Sequence, residues 1–166
     1  MIGSALDDYL RLEASGWKGR AGTAIAARPQ LRAFVEAAVA CLAAKGKVRI
    51  DRLLVNNRAI AAAITLRSQN KAWYWKMSYD EAFRRFSPGV LLTLELTKLL
   101  LADSALISVD SSTKPDHPML DHMWRERLAV GHCVVGIGPS VRELFALAWR
   151  IEGFANSGPV SWTVPR

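Results

Sequence analysis

Hydrophobic residues recur along much of the chain with the three-to-four-residue spacing of helices. This spacing predicts helices over residues 4–14, 29–44 and 89–102. In the first, Ser4 and Asp7 have the spacing of a capping box. The third has leucine on nearly every side, which predicts a largely buried helix. The second has an apolar stripe formed by Leu31, Phe34, Val35, Ala38, Val39 and Leu42.

Between these helices the pattern changes to the two-residue alternation of strands. Three strands are predicted over 48–54, 60–66 and 73–79, joined by turns at 56–57 and 68–70. In the third strand, alternation separates two faces, one with Trp73, Trp75, Met77 and Tyr79, the other with Tyr74, Lys76 and Ser78. If the first face belongs to the core, the second either lines a cleft or lets Lys76 extend its ammonium into water.

The remaining segments alternate between helix and strand. We predict a glycine-rich basic loop over 16–24, strands over 106–110 and 128–137, and helices over 118–126 and 140–152. This order indicates an α/β fold, a mixed sheet with helices on both faces in three layers. We expect a single domain over 1–155, followed by an extended tail over 156–166.

The composition gives the chain a net positive charge. The chain has 166 residues, half of them hydrophobic, and a formal net charge of +7. This charge favours an anionic partner, which could be a nucleic acid, a phosphorylated cofactor or an acidic surface. The sequence shows neither an apolar run long enough to cross a bilayer nor a signal peptide at its start, so we expect a cytoplasmic protein without membrane contact.

The segment between the third strand and the 89–102 helix has the features of an anion-binding site. A helix N-terminus offers free backbone N–H groups and the positive end of the helix dipole, so it favours anions such as phosphates. Arg84 and Arg85 precede it and could donate charge-assisted hydrogen bonds. Gly89 would let a ligand approach the backbone. The alternative is an ordinary helix start at Ser87-Pro88-Gly89 with solvated arginines.

Three stretches together resemble one family. They are LEASGWKGRAGTA at 12–24, WYWKMSYDEAFRRFSPGVLL at 73–92 and DSSTKPDHPMLDHMWRER at 110–127. They resemble the CelD/BcsL-type acetyltransferases, a branch of the GNAT superfamily related to the FemAB transferases. The resemblance implies a GNAT-like fold that uses acetyl-CoA or another acyl-CoA as co-substrate. It places the pyrophosphate on the strand-to-helix turn, at Arg84, Arg85, Phe86, Ser87, Gly89 and Val90, and the pantetheine between the 73–79 and 106–110 strands.

Acyl transfer needs a base, a proton donor for the thiolate and a donor to the oxyanion. Glu13 either faces a cleft or is a solvated helix end, and Asp110 ends a strand. His117 has a suitable pKa range, whereas the preceding Asp116 could simply cap a helix. The candidate catalytic residues are Glu13, Lys76, Tyr79, Asp110 and His117. The spacing of the aspartates and histidines over 110–122 does not favour a metal site.

The resemblance implies an acyltransferase acting on a small-molecule or saccharide acceptor, with a role in cellulose or other polysaccharide synthesis. One alternative is a FemAB-like transferase that takes its donor from aminoacyl-tRNA, which the positive charge would suit. Another is a non-catalytic binding module that keeps the fold. We also expect pairing into a homodimer. Because related chains extend further at the N-terminus, we expect this chain to be the C-terminal part of a longer protein or a truncated copy.

Overall fold

The computed structural model describes residues 2–114 and 116–127. All of them except residue 127 belong to one compact unit, Met1–Glu126. The helices are α1 (Ile2–Ser15), α2 (Trp17–Arg20), α3 (Pro29–Ala44), α4 (Pro88–Leu101) and α5 (Leu120–Met123). The strands are β1 (Val48–Val55), β2 (Arg58–Ser68), β3 (Lys71–Tyr79) and β4 (Ser108–Asp110). Short 3-10 helices occupy Ile25–Ala27 and Glu81–Phe86, and the second is called the 81–86 turn below.

The four strands form one mixed sheet in the order β1-β2-β3-β4. β1, β2 and β3 are antiparallel neighbours, whereas β4 runs parallel to β3. Asn56 and Asn57 both have positive φ angles, 48° and 62°, at the turn between β1 and β2. Asparagine tolerates this backbone region and therefore suits such a tight hairpin. The predicted meander and its first turn are confirmed.

Two hydrophobic clusters cover the two faces of the sheet. The α1-side core joins α1 and α3 to the sheet through residues that include Leu12, Val39 and Ile64. The α4-side core joins α4 and α5 to the other face through residues that include Tyr74 and Leu96. The predicted α/β architecture, a mixed sheet with helices on both faces, is therefore confirmed.

The predicted alternation along β3 is wrong, because the strand contains a bulge. Ile64 lies opposite Lys76 and Thr65 opposite Tyr74, so Trp75 is an extra residue without a partner in β2. Because of this extra residue, even-numbered residues before the bulge and odd-numbered residues after it lie on the same face of the sheet. Tyr74 lies in the α4-side core, where Met77 and Tyr79 also pack, while Trp75 packs on the α1-side core.

The N-terminal third differs from the prediction in three places. α1 starts at Ile2, so Ser4 lies inside the helix rather than capping it. Residues 17–20 of the predicted loop form α2. α3 has the predicted bounds but not the predicted stripe, because only Val35 and Val39 are buried while Leu31 and Phe34 are 37% and 68% exposed.

The C-terminal part differs too. α4 is buried on one side only, since Leu92, Leu96 and Leu100 are buried whereas Leu91, Leu94, Leu99 and Leu101 are exposed. β4 and α5 are shorter than predicted. The strand predicted at 128–137, the helix at 140–152 and the tail at 156–166 lie outside the described residues, so the proposed domain limits stay a prediction. Among the described residues, no helix is long and apolar enough to cross a membrane.

Candidate functional site

β3 and β4 separate after a short paired stretch. β4 pairs with Lys71, Ala72 and Trp73 only. Within the described part of the chain, the edge of β3 that faces β4 has no strand partner over residues 74–79. An unpaired strand edge presents backbone N–H and C=O groups that an extended ligand can bind as a further strand would. The gap between these strands is the first component of the candidate site.

The 81–86 turn leads from β3 into the start of α4. The Asp80 carboxylate accepts a hydrogen bond from the Ala82 N–H at 3.0 Å and so caps the turn. Ser87 then adopts the left-handed conformation, with φ of 50°, and α4 begins at Pro88. Among the described residues, no acceptor contacts the backbone N–H groups of Gly89 and Val90. These N–H groups and the helix dipole make the start of α4 suited to an anion.

Gly89 packs closely against β3 at this helix start. A Cβ atom there would lie 2.8 Å from Met77 Cε and 3.6 Å from Tyr79 Cδ1. A side chain at this position would require the flexible end of Met77 to move. The absence of a side chain therefore lets α4 approach β3 closely. The sequence predicted a glycine that admits a ligand, whereas the space beside its Cα is filled by Met77.

Arg84 and Arg85 lie in the last turn of the 81–86 segment. The Arg85 guanidinium lies 4.5 Å from the centre of the Phe86 ring, which is itself 54% exposed. In the described part of the chain neither arginine forms an ion pair within 4.0 Å of a carboxylate. Both guanidinium groups are therefore available to an anion next to the start of α4.

Glu81 ties this turn to α2. Its carboxylate accepts hydrogen bonds from the backbone N–H of Trp17 and from Arg20, both at 2.8 Å. The hydrogen bond from Arg20 is the main cause that lowers the pKa of Glu81. Sequence reasoning did not identify Glu81, since 61 and 64 residues separate it from its partners and no local spacing signals the contact.

Glu13 is buried, neither solvated nor open to a cleft. Its carboxylate accepts hydrogen bonds from the Ile25 N–H at 2.8 Å, Lys18 at 3.0 Å and the Tyr9 hydroxyl at 3.1 Å. Burial by itself would raise the pKa of Glu13, but the bonds from Ile25, Lys18 and Tyr9 outweigh it, and the pKa is lowered. The solvated alternative is therefore wrong. Glu13 is a buried carboxylate that joins α1 to α2 and the following loop.

Lys76 lies near this carboxylate on the bulged part of β3. Its ammonium lies 5.2 Å from the centre of the Trp75 ring. Burial lowers the pKa of Lys76, the positive charge of Lys18 lowers it further, and Glu13 acts in the opposite direction. Glu13 and Lys18 thus form an ion pair at 3.0 Å that joins α1 to α2, and both charges act on Lys76 of β3.

The other predicted catalytic residues lie elsewhere. Tyr79 packs on the α4 side, beside Gly89. Asp110 accepts a hydrogen bond from the Ser112 N–H at 2.6 Å. His117 Nδ1 accepts from the N–H groups of Met119 and Leu120, so His117, not Asp116, caps the turn into α5. The hydrogen bonds of Asp110 and His117 stay within their own loops.

A family model described as the acetyltransferase (GNAT) domain matches residues 3–115, more than half of the chain. The match includes α1, the whole sheet, the 81–86 turn and α4. Among curated protein sequences, none matches the chain.

Solved structures resemble the chain in fold. A possible acetyltransferase from Clostridium difficile 630 has a TM-score of 0.57 at 12% identity, covering 80% of this chain and 93% of that one. An acetyltransferase from Trypanosoma brucei has a TM-score of 0.53 at 13% identity, covering 82% and 96%. An aminoglycoside acetyltransferase from an uncultured soil metagenomic sample, solved with sisomicin, has a TM-score of 0.52 at 12% identity, covering 81% and 90%.

Proposed function

From the premise that this chain belongs to the acetyltransferase (GNAT) domain family, we propose that it transfers an acyl group from acyl-coenzyme A to an amine of a small-molecule acceptor. The separation of β3 from β4 after Trp73 carries the proposal, because it leaves a bare strand edge directly before an anion-accepting helix start. Amino sugars are the first acceptors to screen, since they combine an amine with the saccharide class suggested by the sequence.

The pantetheine arm of the thioester fits the open edge of β3. It contains two amide groups in an extended chain, so it can exchange hydrogen bonds with a strand edge as a β-strand does. Residues 74–79 supply an edge of six residues without a strand partner in the described part of the chain. The acyl group would then lie near the bulge at Trp75, beside Lys76.

The phosphates fit the start of α4. The N–H groups of Gly89 and Val90 are available there, and Arg84 and Arg85 precede them on the 81–86 turn. Phe86 and Ser87 complete this loop. Backbone donors at a helix start together with two guanidinium groups suit a pyrophosphate, which carries several negative charges within a few bonds. The same residues are the ones the sequence indicated.

In the reaction one bond forms, one bond breaks and one proton moves. The neutral amine nitrogen attacks the thioester carbonyl carbon, the C–N bond forms, the C–S bond breaks, and the proton lost by the amine ends on the coenzyme A thiolate. Of the predicted catalytic residues, Lys76 on the open part of β3 borders the proposed acyl position, whereas Tyr79 lies beside Gly89, nearer the proposed phosphate site. Glu13, held as an ion by three donors, is poorly suited to accept a proton.

Titration calorimetry with acetyl-CoA tests the proposal. We expect saturable binding to the wild-type chain and an affinity that falls roughly 10- to 100-fold in the Arg84→Ala/Arg85→Ala variant, about 1.4–2.8 kcal/mol. The control is Arg28→Ala/Lys45→Ala, which removes the same two charges from the exposed flanks of α3. It should bind acetyl-CoA like the wild type.

Two results would contradict the proposal. Wild-type protein that fails to bind acetyl-CoA would rule out acyl-coenzyme A as the donor and return attention to a donor carried on tRNA. Equal losses in both double variants would show that binding depends on overall charge rather than on the 81–86 turn.

A further inference from the structure

We propose that the 81–86 turn binds the nucleotide end of the donor, with the adenine stacked on the Phe86 ring and the ribose 3′-phosphate bound by the Arg85 guanidinium. Arg84 is then left to the pyrophosphate at the start of α4. This division of the two arginines rests on the proposed function and deepens it. It makes the donor a free coenzyme A thioester rather than a phosphopantetheine carried on a protein.

The 81–86 turn presents its side chains on three sides. A 3-10 helix has about three residues per turn, so residues three apart in sequence lie on the same side. Glu81 and Arg84 therefore share one side, and Phe83 and Phe86 share another. The ring centres of the two phenylalanines lie 6.5 Å apart, which agrees with this geometry. Arg85 starts on the third side.

The side of Glu81 is occupied by α2, whereas the side of Phe86 is open. The Glu81 carboxylate accepts hydrogen bonds from the Trp17 N–H and from Arg20, both at 2.8 Å. Phe86 is 54% exposed. A single exposed apolar side chain is common on protein surfaces and by itself indicates little. At Phe86 the position of the next side chain adds the chemistry of a binding site.

Arg85 places a cation over this exposed ring. Its Cζ atom lies 4.5 Å from the centre of the Phe86 ring, and among the described residues its guanidinium pairs with no carboxylate. A guanidinium packed on a ring keeps its N–H donors in its own plane, where they can bond to a phosphate. The pair therefore combines an aromatic surface with an unpaired phosphate-binding group.

An adenosine 3′-phosphate matches both parts of the pair. Adenine is flat and aromatic, and such bases stack on phenylalanine rings and on guanidinium planes. The ribose next to the base carries the 3′-phosphate, which an arginine can bind through two hydrogen bonds. An apolar chain would use the ring alone, and an inorganic anion would use the guanidinium alone.

The distance from the start of α4 suits a single ligand. Phe86 directly precedes Ser87, and α4 begins at Pro88. Consecutive Cα atoms are about 3.8 Å apart, so the Cα atoms of Phe86 and Gly89 lie within about 11 Å of each other. In coenzyme A only the ribose separates the adenine from the pyrophosphate. A pyrophosphate bound at the N–H groups of Gly89 and Val90 therefore places the adenine within reach of Phe86.

Calorimetry with three ligands separates the nucleotide contacts from the others. The ligands are coenzyme A, dephospho-coenzyme A, which lacks only the 3′-phosphate, and 4′-phosphopantetheine, which lacks the whole nucleotide. We expect coenzyme A to bind at least about tenfold more tightly than dephospho-coenzyme A, because one charge-assisted contact is lost. 4′-Phosphopantetheine should bind at least about 100-fold more weakly than coenzyme A, since it also lacks the stacked base.

Variants of the two arginines locate the 3′-phosphate. Arg85→Gln should reduce the ratio between coenzyme A and dephospho-coenzyme A to about two, because it removes the proposed partner of this phosphate. Arg84→Gln removes the same charge from the same turn and should weaken both ligands while keeping their ratio. Far-ultraviolet circular dichroism confirms that each variant is folded. A ratio that depends on Arg84 but not on Arg85 would contradict the assignment.

Variants of two exposed aromatic residues test the stacking. Phe86→Ala should weaken coenzyme A and dephospho-coenzyme A by roughly tenfold each and leave 4′-phosphopantetheine unchanged. Trp17→Ala is the matched control, because Trp17 is 62% exposed and only its backbone N–H bonds to Glu81 of the turn. It should leave all three affinities unchanged. Equal losses in both variants would show that binding does not depend on stacking at Phe86.

The wild-type affinities distinguish a failure of this inference from a failure of the proposed function. Equal binding of coenzyme A and dephospho-coenzyme A would overturn the nucleotide site and leave the acyl-coenzyme A donor in place. 4′-Phosphopantetheine that binds as tightly as coenzyme A would also overturn it and favour a donor carried on a protein. If none of the three ligands binds, the proposed function fails, and the nucleotide site fails with it.

Discussion

At the scale of single residues, Glu13 is the side chain on which most local structure depends. It accepts hydrogen bonds from Tyr9, Lys18 and the Ile25 N–H while nearly excluded from water. We expect Glu13→Gln to lower the free energy of unfolding by about 2–3 kcal/mol, because the amide cannot accept all three bonds and Lys18 loses its charged partner. Urea denaturation at pH 7 measures this difference.

Acid should remove the advantage of the carboxylate. The pKa of Glu13 is lowered in the folded state, so its stabilisation is complete above the unfolded value of about 4.3 and is lost as the pH falls through the lower folded value. The advantage of the wild type over Glu13→Gln should therefore begin to shrink as the pH falls below about 4.3 and continue to shrink down to the folded pKa. Glu36→Gln, on an exposed pair with Arg32, should change stability by at most about 0.5 kcal/mol at any pH. A constant difference between wild type and Glu13→Gln down to pH 3 would contradict this explanation.

At the scale of elements, the sequence predicted most helices and strands but not the facing of β3. Alternation of polar and apolar residues predicts the face of each side chain only while each residue of the strand pairs with one residue of its neighbour. Trp75 is inserted opposite β2, and nothing in the run from Trp73 to Tyr79 marks it. The prediction that α4 is largely buried failed for a related reason. The number of leucines in a helix does not show how many other elements pack against it. The face of the sheet on which a side chain lies, and the number of elements that pack on a helix, both depend on tertiary contacts.

The contact between α2 and the 81–86 turn is another tertiary feature with a testable consequence. Glu81→Gln removes the ion pair with Arg20 and weakens the bond to the Trp17 N–H. We expect faster amide hydrogen exchange in the 81–86 turn and in α2, with little change in global stability, because the pair is partly exposed. Acetyl-CoA affinity should fall a few fold, since the turn would hold Arg84 and Arg85 less firmly. Hydrogen exchange followed by mass spectrometry measures the first effect and calorimetry the second.

Glu95→Gln is the control for this prediction. Its pair with Lys98 is exposed and lies within α4, so it removes an equivalent charge without joining two elements. Exchange in the 81–86 turn should stay at the wild-type rate in this variant. If Glu81→Gln also leaves that rate unchanged, Glu81 does not hold the turn to α2.

At the scale of the whole molecule, the sequence predicted the family and the fold, because these depend on long segments in a fixed order, whereas the phosphate site at the 81–86 turn stays a prediction. The family match over residues 3–115 confirms the first, and the mixed sheet confirms the second. The burial of Glu13 and its ion pair with Lys18 could not be predicted, since they depend on how α2 and the Ile25 N–H fold back against α1. Asp110, at the end of β4, and His117, before α5, had suitable chemistry, but within the described residues their side chains bond only to neighbours in sequence.

The two cores should unfold together because both are built on β2. Residues 59–65 of that strand are buried, with Ala62 and Ile64 in the α1-side core and Ala61 and Ala63 in the α4-side core. Neither core can lose its packing without exposing the strand that supports the other.

Leu12→Ala in the α1-side core and Leu96→Ala in the α4-side core test this coupling. Both side chains are 1% exposed, so each truncation should cost about 2–5 kcal/mol. Leu101→Ala, at a leucine that is 81% exposed, should cost less than about 0.5 kcal/mol. In every variant, urea transitions followed by tryptophan fluorescence and by circular dichroism should coincide. If Leu96→Ala instead gives an early transition that leaves the α1-side core folded, the sheet does not couple its two faces.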